Sequence, residues 1–331
     1  MTLLSVHDLS VFLATSDGPA RAVRNLTFTL ERGQTLGIVG ESGCGKSMTA
    51  LALMRLLPER STTTGEIILD GSDLQKQSES EMCHVRGNRM AMIFQEPMTS
   101  LNPVHTVGRQ IMEPLRLHRG LSITEARQEA IRLLDRVGIP NPMKRIENYP
   151  HQLSGGQRQR VMIAMALSCG PDILIADEPT TALDVTIQDQ ILDLIQVLVH
   201  EEGMALILIS HDLGVISENT DNVMVMYGGA AVETGKTAHI FDDLSHPYTQ
   251  GLFAAMPRLG RARGSRLVTI PGTVPDLVSL PSGCTFTDRC PLATEICRDT
   301  PPPVIVAAAD HNVACHHLSE ARSKRTEELF S

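Results

Sequence analysis

The sequence predicts an α/β fold with a largely parallel sheet, followed by a small C-terminal module of different composition. Between Thr35 and about Met256, short apolar runs alternate with amphipathic helical stretches, the pattern of a parallel sheet covered on both faces. Residues from about 97 to 170 have a mostly helical pattern without a convincing strand. Further along, proline, cysteine and short polar turns dominate. We therefore expect a domain at 1–260 with a helical insert at about 97–170, and a Cys-rich extension at 261–331.

Apolar runs of strand length define the sheet of the first domain. The predicted strands are Thr35–Val39, Met90–Phe94, Ile173–Ala176, Ala205–Ile209 and Val223–Met226. The stretch Val185–His200 predicts an amphipathic helix, because its apolar side chains recur on one face and its polar side chains on the other.

The composition argues against several classes of protein. The chain has 331 residues, 42% hydrophobic and 20% charged, which is ordinary for a globular protein. Its net charge is −9 and no long basic run occurs, so we expect no nucleic-acid partner. No apolar stretch approaches the roughly 20 residues needed to cross a bilayer, and Met1–Asp8 lacks a signal-peptide pattern. We expect a cytosolic chain whose seven cysteines do not form disulfides.

The segment Gly40–Ser47 matches the phosphate-binding P-loop pattern. It follows the apolar run Thr35–Val39 and opens the helical stretch Met48–Leu57, which is the context that the pattern requires. Its glycines let consecutive backbone N–H groups surround phosphate oxygens, its lysine reaches the β- and γ-phosphates, and its serine ligates Mg²⁺. We expect ATP and Mg²⁺ to bind here through Gly40, Ser42, Gly43, Cys44, Gly45, Lys46, Ser47 and Met48.

A second part of a nucleotide site follows the apolar run that begins at Ile173. The run ends in Asp177 and Glu178, at the carboxyl end of a predicted buried strand, where parallel sheets bind their ligands. The chemistry of phosphoryl transfer assigns Asp177 to the Mg²⁺ shell and Glu178 to orienting and polarising the attacking water. An acidic solvated turn is the other interpretation, and the presence of a P-loop pattern in the same chain weakens it.

The segment Leu153–Gln157, Leu-Ser-Gly-Gly-Gln, matches the signature of ABC-type ATPases. The family's markers occur in the expected order: the P-loop, Gln95, the signature, Asp177-Glu178 and His211. The chain therefore resembles ABC ATPases from about Leu3 to Met256. The resemblance implies an ABC-type P-loop fold and an ATPase coupled to transport across a membrane.

The signature opens a predicted helix, and the free N–H groups of that helix form a second anion site at Ser154, Gly155 and Gly156. One chain needs a single site for its own γ-phosphate, so the second must serve another nucleotide. In ABC ATPases it serves the ATP of a second ATPase subunit in a head-to-tail dimer. The resemblance also assigns nucleotide contacts to Gln157 and to the loop Ala182–Asp184, including Asp184.

The resemblance gives roles to two further polar residues. Gln95 is expected to sense Mg²⁺ and the lytic water and to act as both a catalytic and a metal-contacting residue. His211 is expected to hold the γ-phosphate and the water. The family usually stacks adenine on an aromatic side chain, and its register falls on Leu13 here, beside the aromatic Phe12.

Three segments resemble the ATPase subunits of bacterial dipeptide and oligopeptide importers: Phe94–Pro103, Tyr149–Ser154 and His246–Thr249. The resemblance implies a second ABC ATPase subunit, two transmembrane permease subunits and, indirectly, an extracytoplasmic substrate-binding protein. It places the chain peripherally on the cytoplasmic face of the inner membrane.

Other functions stay open at this point. Nickel and glutathione importers belong to the same group, so either substrate is an alternative to peptides. A soluble, non-transport ABC ATPase is a further alternative, although such proteins normally have coiled coils or tandem cassettes that this acidic chain lacks.

Four cysteines lie close together in the last fifth of the sequence: Cys284, Cys290, Cys297 and Cys315. Four thiolates can bind Zn²⁺ tetrahedrally or hold an iron–sulfur cluster, and they can also be inert. Zinc sites more often use CxxC pairs, which are absent here. Some peptide-importer subunits carry a [4Fe–4S] cluster in this region, so the resemblance favours the cluster over Zn²⁺.

Overall fold

The structure is a computed structural model that describes residues 2–16, 18–96, 100–181, 183–256, 269–324 and 329–330. Three features predicted from the sequence lie outside this part of the chain: the start of the helical insert at 97, Ala182, and the domain boundary at 260–261. Among the described helices, none has the length and apolar character that a bilayer crossing requires.

The described residues form strands and helices in alternation. The strands are β1 Thr2–Thr15, β2 Gly18–Glu31, β3 Thr35–Val39, β4 Thr62–Leu69, β5 Ser72–Asp73, β6 Met90–Ile93, β7 Ile173–Asp177, β8 Ala205–Ser210, β9 Asn222–Tyr227, β10 Ala230–Lys236, β11 Val304–Ala308 and β12 His311–Ala314. The α-helices are α1 Lys46–Leu53, α2 Glu79–Val85, α3 Val107–Arg119, α4 Ile123–Arg136, α5 Pro142–Arg145, α6 Gly155–Ala166, α7 Val185–Glu202, α8 Leu213–Asn219, α9 Thr237–Asp242, α10 Pro247–Ala255, α11 Glu295–Asp299 and α12 Leu318–Ser323. Short 3₁₀ helices occur at Leu74–Lys76, Pro150–Gln152 and Thr287–Arg289.

The chain divides into two compact units. The first comprises Met1–Leu3, Leu30–Gln34 and Asp70–Ile209, and the second comprises Leu4–Thr29, Thr35–Leu69 and Ser210–Ser331.

The first unit contains a parallel group of three strands with β7 in the middle. Ile173 lies opposite both Met90 of β6 and Ala205 of β8, and every residue of β7 is buried. Burial on both faces explains why these strands are continuous apolar runs in the sequence. Because their carboxyl ends meet at one edge, the acidic end of β7 lies beside the end of β8, with Asp177 opposite Ile209.

The same unit contains the helical segment between residues 100 and 170. Helices α3 and α4 present amphipathic faces and bury side chains such as Ile111, Leu115 and Leu134. Ser122 caps α4 by accepting the N–H of Glu125, whose carboxylate accepts the N–H of Ser122 in return. A strand is not found between residues 100 and 170, all of which the structure describes.

The second unit contains two groups of strands. In one, β1 lies between β2 and β4, and it pairs antiparallel with β4. In the other, β3 pairs in parallel with β9, and β10 and β12 continue the group in antiparallel orientation. All five residues of β3 are buried, which places the loop that follows it at the end of a central strand.

The C-terminal segment does not form the separate Cys-rich module that the sequence predicts. Strand β12 pairs with β10, with Val313 opposite Glu233, so the segment extends a sheet of the second unit. Phe286 is buried, and its ring centroid lies 5.1 Å from that of Tyr227 at the end of β9. The segment has a small apolar cluster of its own, formed by Leu292, Ala321 and Leu329, and through Phe286 it also packs against the core of the second unit.

A buried carboxylate connects these elements. Glu233 is 1% exposed, and its carboxylate accepts the backbone N–H groups of Ser245 and His246 at 3.0 Å each. Nε2 of His311 on β12 lies 2.8 Å from the same carboxylate. Burial lowers the pKa of His246 to about 4, although the charge of Glu233 raises it. The pair of β10 and β12 is thus joined to the loop that precedes α10.

We expect Glu233→Ala to lower the free energy of unfolding by about 3 kcal/mol, because it leaves two buried N–H donors and His311 without their acceptor. Chemical denaturation of the purified chain measures the change. The control is Asp310→Asn, which removes only the exposed ion pair with Lys236 and should leave the transition in place. Equal stability of the two variants would contradict the role of Glu233.

Candidate nucleotide-binding and catalytic residues

The loop between β3 and α1 reverses direction through glycines with positive φ. Gly40, Gly43 and Gly45 have φ of 158°, 81° and 100°. A Cβ on Gly40 would lie 2.3 Å from the backbone oxygen of Met226, and a Cβ on Gly45 would lie 2.4 Å from that of Ala22. The loop therefore needs glycine at both positions for space as well as for conformation.

Lys46 is the first residue of α1 and is 5% exposed. Its Nζ donates to the backbone oxygens of Gly40 at 2.7 Å and Glu41 at 3.1 Å, so the ammonium group lies inside the curve of the loop. The first N–H groups of a helix have no partner within that helix, and they add a partial positive charge at this point. The arrangement forms a cradle for an anion.

The remaining predicted loop residues differ in exposure. Ser42 and Gly43 are exposed, whereas Ser47 and Met48 are half-buried at the start of α1. Cys44 is buried, and burial raises the pKa of its thiol, which keeps it uncharged. The helix begins two residues before the predicted Met48 and ends at Leu53, because Arg55 takes a left-handed conformation with φ of 50°.

The end of β7 places two carboxylates in succession, as predicted. Asp177 is 4% exposed, and Glu178, half-buried, has φ of 44°, a conformation that residues other than glycine seldom adopt. The Glu178 N–H donates to the backbone oxygen of Ile209 at 3.0 Å. Its carboxylate accepts hydrogen bonds from the Gln95 amide at 3.1 Å and the Thr181 hydroxyl at 3.0 Å. A backbone strained in this way is typical of functional sites. The sequence did not identify Thr181 as a neighbour of Glu178.

The signature segment forms a capped helix start. Ser154 precedes α6, and its hydroxyl accepts the N–H of Gln157 at 3.3 Å, while the Gln157 side chain accepts the N–H of Ser154 at 3.2 Å. Ser154 and Gly155 are exposed, so the amino end of α6 is open to solvent. A Cβ on Gly156 would lie 3.0 Å from Ile187 of α7, which accounts for the small residue there.

The other predicted contacts lie at the ends of elements. Asp184 is exposed and caps α7 by accepting the N–H of Ile187 at 3.0 Å. His211 is exposed and directly follows β8. Phe12 is half-buried, with the guanidinium carbon of Arg21 at 5.5 Å from its ring centroid.

The four C-terminal cysteines interact electrostatically. The N–H of Cys284 donates to the backbone oxygen of Cys297 at 2.7 Å. Burial, with smaller contributions from the charges of the other three cysteines, raises the pKa of Cys290 to about 12. Burial, with smaller contributions from the charges of Cys284 and Cys297, raises the pKa of Cys315 to about 11. Within the described ranges, however, no group of three or more His, Cys, Asp or Glu is placed to hold a metal ion, so the predicted metal centre has no preformed ligand set.

Two protein families match the sequence. The family described as "ABC transporter" matches residues 23–181, and the one described as "Oligopeptide/dipeptide transporter, C-terminal region" matches residues 232–297. The second match begins within β10, well before the boundary at 260–261 that the sequence predicts.

Relatives match over nearly the whole chain. The oligopeptide transport ATP-binding protein OppD of Salmonella typhimurium is 52% identical, covering 91% of this chain and 89% of that protein. The dipeptide transport ATP-binding protein DppD of Escherichia coli is 48% identical, covering 96% and 97%. Among solved structures, a dimeric ATP-binding cassette in a post-hydrolysis state with ADP and phosphate has a TM-score of 0.64 at 27% identity, covering 71% of this chain and 99% of that one.

The two glycines Gly43 and Gly45 give a matched test of the loop geometry, because both have positive φ but only Gly45 lacks space for a Cβ. Without nucleotide, Gly43→Ala should lower the free energy of unfolding by about 1–2 kcal/mol, the cost of a left-handed residue. Gly45→Ala should lower it by clearly more, because its Cβ would collide with the Ala22 oxygen. Chemical denaturation of both variants measures the difference, and equal losses would contradict the close contact.

Proposed function

The chain belongs to the ABC transporter family, in its oligopeptide/dipeptide group, and we propose that it is the ATP-hydrolysing subunit that energises import of di- or oligopeptides. The observation that carries the proposal is the conjunction of the phosphate cradle at Lys46 with relatives about half identical over nine-tenths of the chain or more. The ATPase domain corresponds to residues 1–260 and the C-terminal extension to 261–331.

ATP binding is assigned to the P-loop and hydrolysis to the residues at the ends of β7 and β8. Lys46 and the loop N–H groups bind the phosphates. Ser47 and Asp177 carry oxygen atoms, the ligand type that Mg²⁺ prefers, and the ion neutralises developing phosphate charge when bound. Glu178 orients the attacking water and accepts its proton, and Gln95, His211 and Asp184 complete the contacts around the nucleotide.

The chain acts as one of two ATPase subunits in a transporter that also contains permeases and a substrate-binding protein. The exposed amino end of α6 at Ser154 is suited to the phosphate of a second subunit's ATP, which supports a head-to-tail pair. Closure on ATP and reopening after hydrolysis would then drive the permeases. We place the subunit peripherally at the cytoplasmic face of the inner membrane.

The substrate that the transporter takes up distinguishes a peptide importer from a nickel or glutathione importer. Affinity purification in mild detergent, with mass spectrometry, should recover two permease subunits and a second ATPase subunit. A strain without this chain should lose uptake of labelled di- or oligopeptides and keep uptake of Ni²⁺ and glutathione. Loss of either of the latter alone would replace peptide as the substrate, and recovery of no membrane protein would favour a soluble ABC ATPase.

We also propose that Cys284, Cys290, Cys297 and Cys315 bind a [4Fe–4S] cluster, with Zn²⁺ as the alternative ligand. The support is that three of the four cysteines lie in the stretch that matches the oligopeptide/dipeptide transporter C-terminal region, where the Cys284 N–H donates to the backbone oxygen of Cys297 at 2.7 Å. Metal binding favours the thiolate and therefore lowers the pKa of a ligand cysteine. This effect would oppose burial, which raises the pKa of the free thiols. The cluster would stabilise the C-terminal segment.

Glu178→Gln should lower ATP hydrolysis by about 10²–10⁴-fold while ATP binding is retained, because the amide cannot accept a proton from the attacking water. Hydrolysis and nucleotide affinity are measured in the assembled transporter. Glu201→Gln, which removes a carboxylate paired with Arg136 on the surface, is the control. Turnover of Glu178→Gln at the wild-type rate would refute the role of Glu178.

Ser154→Ala should reduce trapping of nucleotide in the pocket of the other ATPase subunit and leave this chain's own pocket active. The expectation follows from a second anion site within one chain. Vanadate trapping of a photoreactive ATP, followed by identification of the labelled subunit, gives the readout. Ser122→Ala removes an equivalent helix cap on α4 and controls for lost capping, which costs about 1 kcal/mol. Labelling lost only from the mutated chain's own pocket would overturn the head-to-tail arrangement.

Anaerobically purified protein should be brown and contain about four iron and four sulfide per chain, as for a cubane cluster with four thiolate ligands. Cys290→Ser should remove the colour and make the C-terminal segment sensitive to protease, while ATP still binds. Cys83→Ser, at an exposed thiol, is the control. One zinc per colourless chain would replace the cluster by a zinc site, and a metal-free, protease-resistant chain would remove the metal proposal.

A further inference from the structure

The P-loop of this chain contains a carboxylate, that of Glu41, at a position that the P-loop pattern leaves variable. Glu41 follows Gly40, and both its backbone and its side chain make hydrogen bonds. Its N–H donates to the hydroxyl of Tyr248 at 2.9 Å, and its oxygen accepts Lys46 Nζ at 3.1 Å. A negative charge at this point opposes phosphate binding unless a cation neutralises it.

The cation comes from the C-terminal segment. Nη1 of Arg289 lies 2.6 Å from Oε2 of Glu41, and Nη2 lies 3.0 Å from Oε1, a two-point contact. The Arg289 side chain is 4% exposed and that of Glu41 is 30% exposed. Burial tends to lower the pKa of Arg289, but the hydrogen bonds to Glu41 raise it above its ordinary value.

Arg289 is held in place from every side. Its Nε donates to the backbone oxygen of Pro271 at 2.9 Å, and Nη1 lies 3.3 Å from the hydroxyl of Tyr227. Its guanidinium carbon lies 5.7 Å from the Tyr227 ring centroid and 6.0 Å from that of Phe286. Hydrogen bonds on both sides of the guanidinium fix its plane, and a planar fork matches a carboxylate better than an ammonium does.

An aromatic cluster joins the two ends of this contact. The ring centroid of Tyr248, whose hydroxyl accepts the Glu41 N–H, lies 4.6 Å from that of Tyr227 and 5.4 Å from that of Phe286. Tyr248, which contacts the backbone of Glu41, and Arg289, which contacts its carboxylate, therefore pack against the same aromatic group. A change in the position of the C-terminal segment is transmitted to the loop through both.

We propose that Arg289 is a positioning residue for nucleotide binding: it neutralises and orients Glu41, so that the C-terminal segment sets the shape and charge of the phosphate-binding loop. The inference rests on the proposed ATP-binding function of that loop and extends it to a segment outside the nucleotide-binding motifs. Loss of Arg289 would leave the Glu41 carboxylate unpaired beside the N–H groups that receive phosphate.

The test is a double-mutant cycle on the full chain, with the affinity for a fluorescent ATP analogue as the readout. Arg289→Met should weaken binding by about tenfold or more, as for removal of one partner of a buried, hydrogen-bonded ion pair. Glu41→Gln in the Arg289→Met background should restore affinity to within about threefold of wild type, because the unpaired charge is gone. The loss in Arg289→Met should also shrink as salt rises, which a purely structural defect would not show.

Two further variants separate the possible outcomes. Arg322→Met removes another ion pair of the same C-terminal segment, with Asp243, and should bind the analogue like wild type. Arg289→Lys keeps a cation in the protein but loses the two-point contact, so its affinity should fall between those of wild type and Arg289→Met, even where the methionine variant folds poorly. Wild-type affinity in both Arg289 variants, or a double variant no better than Arg289→Met, would overturn the inference. A wild-type chain that does not bind the analogue would instead refute the proposed ATP-binding function.

Discussion

The geometry of the P-loop depends on a close approach of its backbone to two neighbouring strands. Gly45 lies against the backbone oxygen of Ala22, and Gly40 against that of Met226, in both cases too close for a Cβ. These contacts fix both ends of the turn between β3 and α1, and they leave Lys46 directed into its curve. The shape of the loop is thus determined by strands β2 and β9 as much as by the motif itself.

Much of this arrangement could be predicted from the sequence, because local pattern and motif agree. β3 matches its prediction residue for residue, and β6, β7, β8 and β9 match within a residue or two at their ends. The long strands β1 and β2 could not be recognised, because a register shift between His7 and Ser10 interrupts β1 and because Asp8 and Asn25, both polar, have positive φ. The left-handed conformation of Glu178 and its bond to Thr181 depend on tertiary structure and leave no local pattern.

The structure of the C-terminal segment could not be predicted from the sequence pattern, and the reason is physical. Its composition indicates a module with a thin core, and a chain segment of that kind needs either a metal or a neighbour to stay folded. The structure provides the neighbour: β12 pairs with β10, and Glu233 and Phe286 are buried between segments far apart in sequence. Such contacts are non-local, so neither periodicity nor cysteine spacing could indicate them. The segment is therefore part of the nucleotide-binding unit, and Arg289 brings it to the loop.

This chain converts ATP hydrolysis into peptide import. The most direct measurement is ATP hydrolysis by the transporter reconstituted in lipid vesicles, with and without peptide-loaded substrate-binding protein. We expect the hydrolysis rate to rise when the loaded binding protein is added, and we expect peptide accumulation to require ATP. Hydrolysis that is indifferent to the binding protein, with no accumulation of peptide, would contradict it.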